Sequence, residues 1–372
     1  MAESIVALGL LFLASGITSY AATAIVKNAA ESIGLVDRPD ERKLHVGATP
    51  RIGGLAIIFG FGFPLILLAG NSRATELVSK NLTYLFAVLA SGSLIVGLGV
   101  YDDLVGADAT KKFLVQTAAA VILVSFGFQF TFISIAGQVI ELGLLGSVAS
   151  VVWIVGVINA VNFIDGIDSL ATVVSITIAV SFGVIALLRY DAFSLVIMAA
   201  LAGSLAGFFP WNRPPAKIFM GDTGSMFIGL VLAACSIAKP SKSPTALIIG
   251  GPILALALPV LDTLIVMKQR FTVRSPGVTS PAMTKRITGM FEADRRHIHH
   301  ILVEKFGSAG KAVFSIWLVT VSFGASAVLT VIQPLKWIGY SVGAGGIVAM
   351  LLLRYARRRG TRPSSSVEES AI

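Results

Sequence analysis

A single cysteine, Cys235, occurs in the 372 residues, inside an apolar run. One thiol excludes an internal disulfide and any cysteine-based zinc site. Charge is also scarce. Only 13% of residues are charged, against roughly 25% in soluble domains, while 55% are hydrophobic and the mean hydropathy is +0.85. That balance excludes a soluble globular protein and points to an integral membrane protein. Histidine is reduced to His45, His297, His299 and His300, and the H-E-x-x-H spacing of zinc proteases is absent. The first apolar run, Ile5 to Val26, lacks the basic start of a secretory signal and exceeds its usual core, so it reads as a retained span. Neither a soluble domain nor an internal repeat is evident. Residues 1–359 read as one transmembrane catalytic domain and 360–372 as a polar, Ser-rich disordered tail.

Long apolar runs are abundant. About 20 residues cross a bilayer as helix, and runs near 5–26, 52–70, 83–101, 113–131, 145–160, 170–188, 193–209, 225–238, 245–267, 312–333 and 337–353 approach that length, the fifth and eighth being short. The expected fold is an all-α polytopic membrane protein of about eleven transmembrane helices. With the N-terminus outside, the inner segments 27–51, 102–112, 161–169, 210–224, 268–311 and the tail hold 23 Lys and Arg, and the outer segments hold six. The positive-inside rule therefore places the C-terminus in the cytoplasm. The same asymmetry accounts for the net charge of +9 without nucleic acid as a partner. Residues 131–142 alternate enough to suggest a small outer hairpin.

Ionisable groups in such a chain are costly and tend to mark working sites. Five clusters lie in the inner segments. DRPDERKLHVGATPRIGG (37–54) mixes acids and bases around His45; taken alone it also suits a segment that meets anionic lipid. Asp102 and Asp103 are followed by Lys111 and Lys112, and adjacent carboxylates stay ionised together only beside a cation or basic groups. Asn159, Asn162, Asp165 and Asp168 recur every three residues, so helical neighbours share a face. Their oxygens suit a hard cation such as Mg²⁺, although polar helix–helix contacts would use similar residues. In PWNRPPAKIFMGDTGS (210–225), Asp222 sits among glycines where a helix starts, a place for phosphate or its metal and also for an ordinary N-cap. FEADRRHIHH (291–300) places Arg295 and Arg296 beside the histidines, which opposes a cation and favours an anionic substrate. Together these describe phosphoryl transfer at the inner membrane surface, with a lipid as one partner. A transporter is the rival from another class, but its site would lie near the bilayer midplane between repeated halves.

In this order the motifs DRPDERKLH…TPRIGG, DDLVG…KKFLVQ, NAVNFIDGIDSLA, PPAKIFMGDTGS and HIHH, spanning about residues 34–304, resemble the polyprenyl-phosphate N-acetylhexosamine-1-phosphate transferases, glycosyltransferase family 4. That group includes initiators of O-antigen, enterobacterial common antigen and wall teichoic acid, and the phospho-N-acetylmuramoyl-pentapeptide transferase of peptidoglycan synthesis. The resemblance implies transfer of a sugar-1-phosphate from a UDP-N-acetylhexosamine to undecaprenyl phosphate, with release of UMP. It also implies Mg²⁺ (Mn²⁺ as a substitute), the bacterial cytoplasmic (inner) membrane, an active site on the cytoplasmic face, and a homodimer. It assigns Asp222 and Asn162 to the metal. Asp102 and Asp103 fall to the lipid phosphate, Lys112 to phosphate, and Asp165 and Asp168 to the nucleotide-sugar site. Asn212 falls near the nucleotide. Arg296, His297, His299 and His300 match the loop that recognises sugar and diphosphate, and His45 and Asn159 complete the substrate-binding set. Ser169 departs from the glycine usual in the DGIDGLA pattern, a change that bears on the turn there. The HIHH form resembles the GlcNAc-type initiators, whereas the muramoyl-pentapeptide enzymes tend to have three consecutive histidines. UDP-GlcNAc is therefore the expected donor, with a related 6-deoxy-N-acetylhexosamine donor, or the muramoyl-pentapeptide donor of the nearer rival, as the alternatives.

Overall fold

The computed structural model describes residues 2–37, 49–69, 81–135, 138–237, 250–272 and 296–355. His45, most of the first inner loop, residues 273–295 and the tail from 356 lie outside them. The described chain is mostly helical, and each of the eleven expected runs overlaps helix: α1 (Ala2–Ser32), α2 (Gly54–Ala69), α3 (Leu82–Val105), α4 (Ala109–Ser125), α5 (Gly143–Ile164), α6 (Leu170–Leu188), α7 (Ala192–Asn212), α8 (Gly221–Ser236), α9 (Gly250–Ala255) with α10 (Ala257–Thr272), and, beyond the short amphipathic α11 (Ile298–Phe306), α12 (Ala309–Val331) and α13 (Lys336–Tyr355). Among the described residues seven helices are long and apolar enough to cross a bilayer, which makes this a multi-pass membrane protein. The eighth run remains short at 16 residues. The fifth does not: α5 extends to 22 residues because the NAVNFI stretch, expected in part as loop, continues the helix. The ninth run is broken between α9 and α10. Pro259 lacks an N–H and its ring crowds the carbonyl four residues back, at Ala255, where α9 stops.

Residues 102–112 also differ from the loop expected of them. α3 runs through Asp102 and Asp103 to Val105, and α4 starts at Ala109, so Lys112 rides its first turn. Gly106 ends α3 with φ 88°, and Asp108 caps α4 by accepting the Lys111 N–H. The hairpin near 131–142 is present as β3 (Phe132–Ile135) paired antiparallel with β4 (Gln138–Glu141), with Phe132 opposite Glu141. A second pair, β1 (Val36–Asp37) and β2 (Thr49–Pro50), brackets the first inner loop.

The core centres on α8, which packs against α2, α3 and α5. Every side chain from Thr223 to Ala234 is buried, so α8 is wrapped by protein on all sides. Small residues permit the close approach, since lipid gives helices little hydrophobic reason to associate. A Cβ at Gly54 would strike the Gly224 backbone, and one at Gly99 would strike Thr223. These contacts seat the start of α8 between the start of α2 and the end of α3. Asp102, Lys112, Asp165, Asp222 and the histidine helix α11 consequently share one end of the bundle.

Candidate active site

The start of α8 organises this end. Asp103, 5% exposed on the last turn of α3, places its carboxylate over the free N–H groups there. Oδ1 accepts from the Asp222 N–H at 2.9 Å, while Oδ2 accepts from the Thr223 N–H at 3.0 Å and the Thr223 hydroxyl at 2.6 Å. An N-cap normally comes from the residue that directly precedes the helix; here α3 supplies it. Gly221 makes this possible, because its φ is +67° and a Cβ would collide with Asp103 and the Arg51 carbonyl. The backbone of 50–54 holds the segment from the other side, through Phe219 N–H to Pro50 O at 2.8 Å and Gly54 N–H to Met220 O at 2.8 Å.

Lys112 Nζ bridges Asp102 Oδ2 at 2.7 Å and Asp222 Oδ2 at 2.6 Å. Asp102 Oδ1 accepts the Ala107 N–H at 2.6 Å. The adjacent aspartates therefore have different duties: Asp103 is committed to the helix end, and Asp102 faces the lysine. Asn162 donates to Ser225 Oγ at 2.9 Å, which brings α5 to the first turn of α8, and its amide oxygen carries no hydrogen bond among the described residues.

The three-residue series does not form one face. Asn159 points to α4, donating to Gln116 Oε1 at 2.6 Å, and is 5% exposed. Asp165 sits just past the end of α5, and Asp168 turns away to accept the Ala216 N–H at 2.8 Å. Asn212 is 2% exposed and fully engaged: its oxygen accepts from the Ser169 N–H and the Thr172 hydroxyl, and its amide donates to the Ile218 carbonyl. It thus ties the 166–170 turn to the 213–220 loop. Ser169, the departure noted above, adopts φ 64°, the left-handed conformation that glycine takes without strain.

Asp165 is the uncompensated charge. It has no hydrogen-bond or ion-pair partner among the described residues. Burial first, then the negative charges of Asp222, Asp103 and Asp168, push its carboxyl well above the usual carboxylate range. A cation would relieve that repulsion. The donors at hand are oxygens: Asp222, Asp165 and the Asn162 amide. Among the described residues no three acidic, His or Cys side chains converge. Mg²⁺ is usually held by one or two carboxylates, with waters and substrate phosphates completing its shell, so Asp222 and Asp165 are the residues that could hold it.

The histidines approach from α11. The His299 ring packs on Gly166, where a Cβ would collide with it, and lies 4.2 Å from the His300 ring and 5.9 Å from that of His297. His299 is 1% exposed and neither ring nitrogen has a partner among the described residues. Burial, then His300, lowers its pKa to about 3, so it is neutral at pH 7. His297 Nδ1 lies 2.7 Å from Asp262 Oδ2. Arg296 offers its carbonyl to Arg354 at 2.8 Å. Asp262 and Arg354 were not singled out in the sequence. The available signal was Asp262 itself, a lone acid in an apolar run. An apolar cavity of about 620 Å³ between α2, α3 and α7, lined by Phe61, Leu65, Val88 and Phe193, contains none of these groups. It can take hydrocarbon but offers phosphate nothing.

Fold and site together define a multi-pass membrane protein with a polar site of carboxylates, one bridging lysine and buried imidazoles at one end of its helix bundle. The chain belongs to glycosyl transferase family 4. The model of that family matches residues 85–239. The chain is similar to the probable undecaprenyl-phosphate N-acetylglucosaminyl 1-phosphate transferase of Bacillus subtilis, at 34% identity covering 88% of this chain and 86% of the relative. It is 32% identical to the decaprenyl-phosphate N-acetylglucosaminephosphotransferase of Mycobacterium tuberculosis, covering 95% and 90%. The phospho-N-acetylmuramoyl-pentapeptide-transferase of Rubrobacter xylanophilus is 30% identical, covering 77% and 84%.

Proposed function

We propose that this protein transfers N-acetylhexosamine-1-phosphate, most simply GlcNAc-1-phosphate, from a UDP-sugar to a polyprenyl phosphate such as undecaprenyl phosphate. The reaction releases UMP and starts a cell-surface polysaccharide or wall polymer. The carrying observation is the convergence of motifs from 49–54, 101–112, 159–169 and 219–225 on the start of α8, where Lys112 joins Asp102 to Asp222. The names of the relatives support the polyprenyl acceptor and the GlcNAc-phosphate group. The reading includes a cytoplasmic active site in the inner membrane of a bacterium, eleven spans with the N-terminus outside, and a homodimer. The 23-to-6 division of basic residues supports the orientation.

In this reading the lipid phosphate attacks the β-phosphorus of the donor, a new P–O bond forms, and the bond to UMP breaks. A phosphate monoester has its second pKa near 6 and is largely dianionic at pH 7. It therefore needs charge neutralisation more than a general base. Lys112 supplies positive charge where Asp102 holds it. Asp103 keeps Asp222 aimed by capping its helix. Asp222, with Asn162 and Asp165, would hold Mg²⁺, which when bound neutralises phosphate oxygens. His299, neutral and unpartnered, and His297 and His300 beside it face the donor's sugar and diphosphate.

The test is a transfer assay with purified protein in detergent, undecaprenyl phosphate, Mg²⁺ and UDP-GlcNAc labelled in the sugar. Label in the organic phase with equimolar UMP is the expected result. Transfer only from UDP-MurNAc-pentapeptide would keep the chemistry and change the donor. No transfer from any UDP-sugar by folded protein would overturn the reading. A sugar-phosphate adduct trapped on Asp102 or Asp103 without lipid would replace direct attack by a covalent route.

A further inference from the structure

Asp262 lies in α10, outside every motif above, and is 2% exposed. Its two oxygens have separate partners. Oδ2 faces His297 Nδ1 at 2.7 Å, while Oδ1 accepts from the Ile298 N–H at 3.1 Å and from Arg354 Nη1 at 2.5 Å. Arg354, near the end of α13, also donates Nη2 to the Arg296 carbonyl at 2.8 Å. One carboxylate thus ties α10, the start of α11 and α13 together. The side chains of Asp262, His297 and Arg354 are 3%, 5% and 8% exposed.

Stability alone is a poor reason for such a cluster, because buried ion pairs often contribute no more than well-packed apolar residues of the same volume. Orientation is a better one. A carboxylate against one imidazole nitrogen decides which nitrogen carries the proton and fixes the ring plane. Here Nδ1–H donates to Asp262, and Nε2 has no hydrogen bond among the described residues. The ring is stacked 5.9 Å from that of His299 and lies 5.5 Å from that of Phe163, two residues before Asp165. Nε2 is therefore the nitrogen left for a ligand, on a ring that packs beside Phe163 and His299.

We propose that Asp262 is a positioning residue for the transfer: it fixes the tautomer and plane of His297, with Arg354 holding Asp262 in turn, so that Nε2 meets the sugar-diphosphate donor. This rests on the donor reading above.

Asp262→Asn tests it. The Ile298 N–H and Arg354 both donate to the Oδ1 place, so the amide oxygen must sit there and the NH₂ must face His297. His297 then has to accept at Nδ1 and carry its proton on Nε2. The expected loss in donor kcat/KM is about 10- to 100-fold, the range found when groups that orient metal-bound histidines are removed, with the KM for polyprenyl phosphate unchanged. In a His297→Ala background the same substitution should cost nothing further, because the two act as a unit. An equal loss in both backgrounds, or no loss in the parent, would overturn the proposal. Parent protein that transfers from no UDP-sugar would instead sink the function reading. Should Asp262→Asn not fold, ¹⁵N-histidine NMR of the parent protein, with His297→Gln to identify the signal, decides the matter. His297 protonated at Nδ1 is expected, and a bare Nδ1 with Nε2–H overturns the proposal.

Discussion

Asp165 is the residue whose surroundings suit it least. Its carboxyl is pushed up because burial and three neighbouring acids disfavour the charge. A raised folded-state pKa means that the folded protein holds this proton more tightly than the unfolded chain. Its contribution to stability is therefore present below the ordinary carboxylate pKa and is lost as pH rises through the raised value. In chelator near pH 7, Asp165→Asn should raise the melting temperature and flatten that pH dependence, while turnover disappears. Added Mg²⁺ should stabilise the parent and leave the variant unmoved. A variant that melts lower than the parent in chelator, or still gains from Mg²⁺, would show that Asp165 is not the uncompensated group. Ser169 is strained for another reason. At φ 64° it costs about 1 kcal/mol or more, which glycine would not. Ser169→Gly should be neutral to stabilising by roughly that amount, offset by glycine's greater freedom in the unfolded chain, and should keep full transfer activity. Replacement by Val should destabilise, and thermal melts of the three proteins check both.

At the scale of elements, the cap that α3 places on α8 is the joint to test. Asp103→Ala leaves two buried N–H groups and one hydroxyl without an acceptor. Unsatisfied buried donors cost about 1–3 kcal/mol each, so the variant should lose stability and turnover together. Asp222→Ala should abolish turnover while melting near the parent temperature, because Asp222 contributes no cap to the helix end. Equal melting losses in the two variants would contradict the division of labour. These joints also show what the sequence could reveal. Asp102, Asp103, Lys112, Asn162, Asp165 and Asp222 were legible as a group because polar residues are conspicuous in apolar surroundings. Their separate tasks were not legible, because a cap supplied across a helix pair leaves no local spacing. The same limit applied to Asn212, which the resemblance placed near the nucleotide and whose amide joins two scaffold segments. Asp262 went unremarked, and Arg354 counted only among the basic residues of the tail, for a related reason: they are partners only through a side-chain contact between α10 and α13, more than 90 positions apart. The helices were easier to read. All eleven apolar runs overlap helix, and the misplaced ends at α3, α4 and α5 arose where polar site residues interrupt hydropathy but not helical hydrogen bonding.

For the whole molecule the decisive property is orientation, because the proposed nucleotide-sugar donor is made in the cytoplasm and the proposed site would meet it only from that side. Basic residues divide 23 to 6 when the site end faces inward, and the reverse orientation would leave those 23 on the far side, against the positive-inside bias. The single cysteine makes a direct test simple. In a Cys235→Ala background, Tyr190→Cys places a thiol at the turn between α6 and α7, where Tyr190 is 93% exposed. Lys305→Cys places another on an exposed position of α11, beside the histidines. A membrane-impermeant maleimide applied to intact cells, or to spheroplasts where an outer membrane intervenes, should label the position-190 thiol. It should reach the position-305 thiol only after the membrane is opened. Transfer activity measured on both variants shows that the fold survived. The reverse pattern in active protein would put the site outside and require a donor supplied there. Labelling of both thiols in sealed cells would mean that this part of the bundle admits water from either face, which is the behaviour of a transporter and not of a transferase working from one surface.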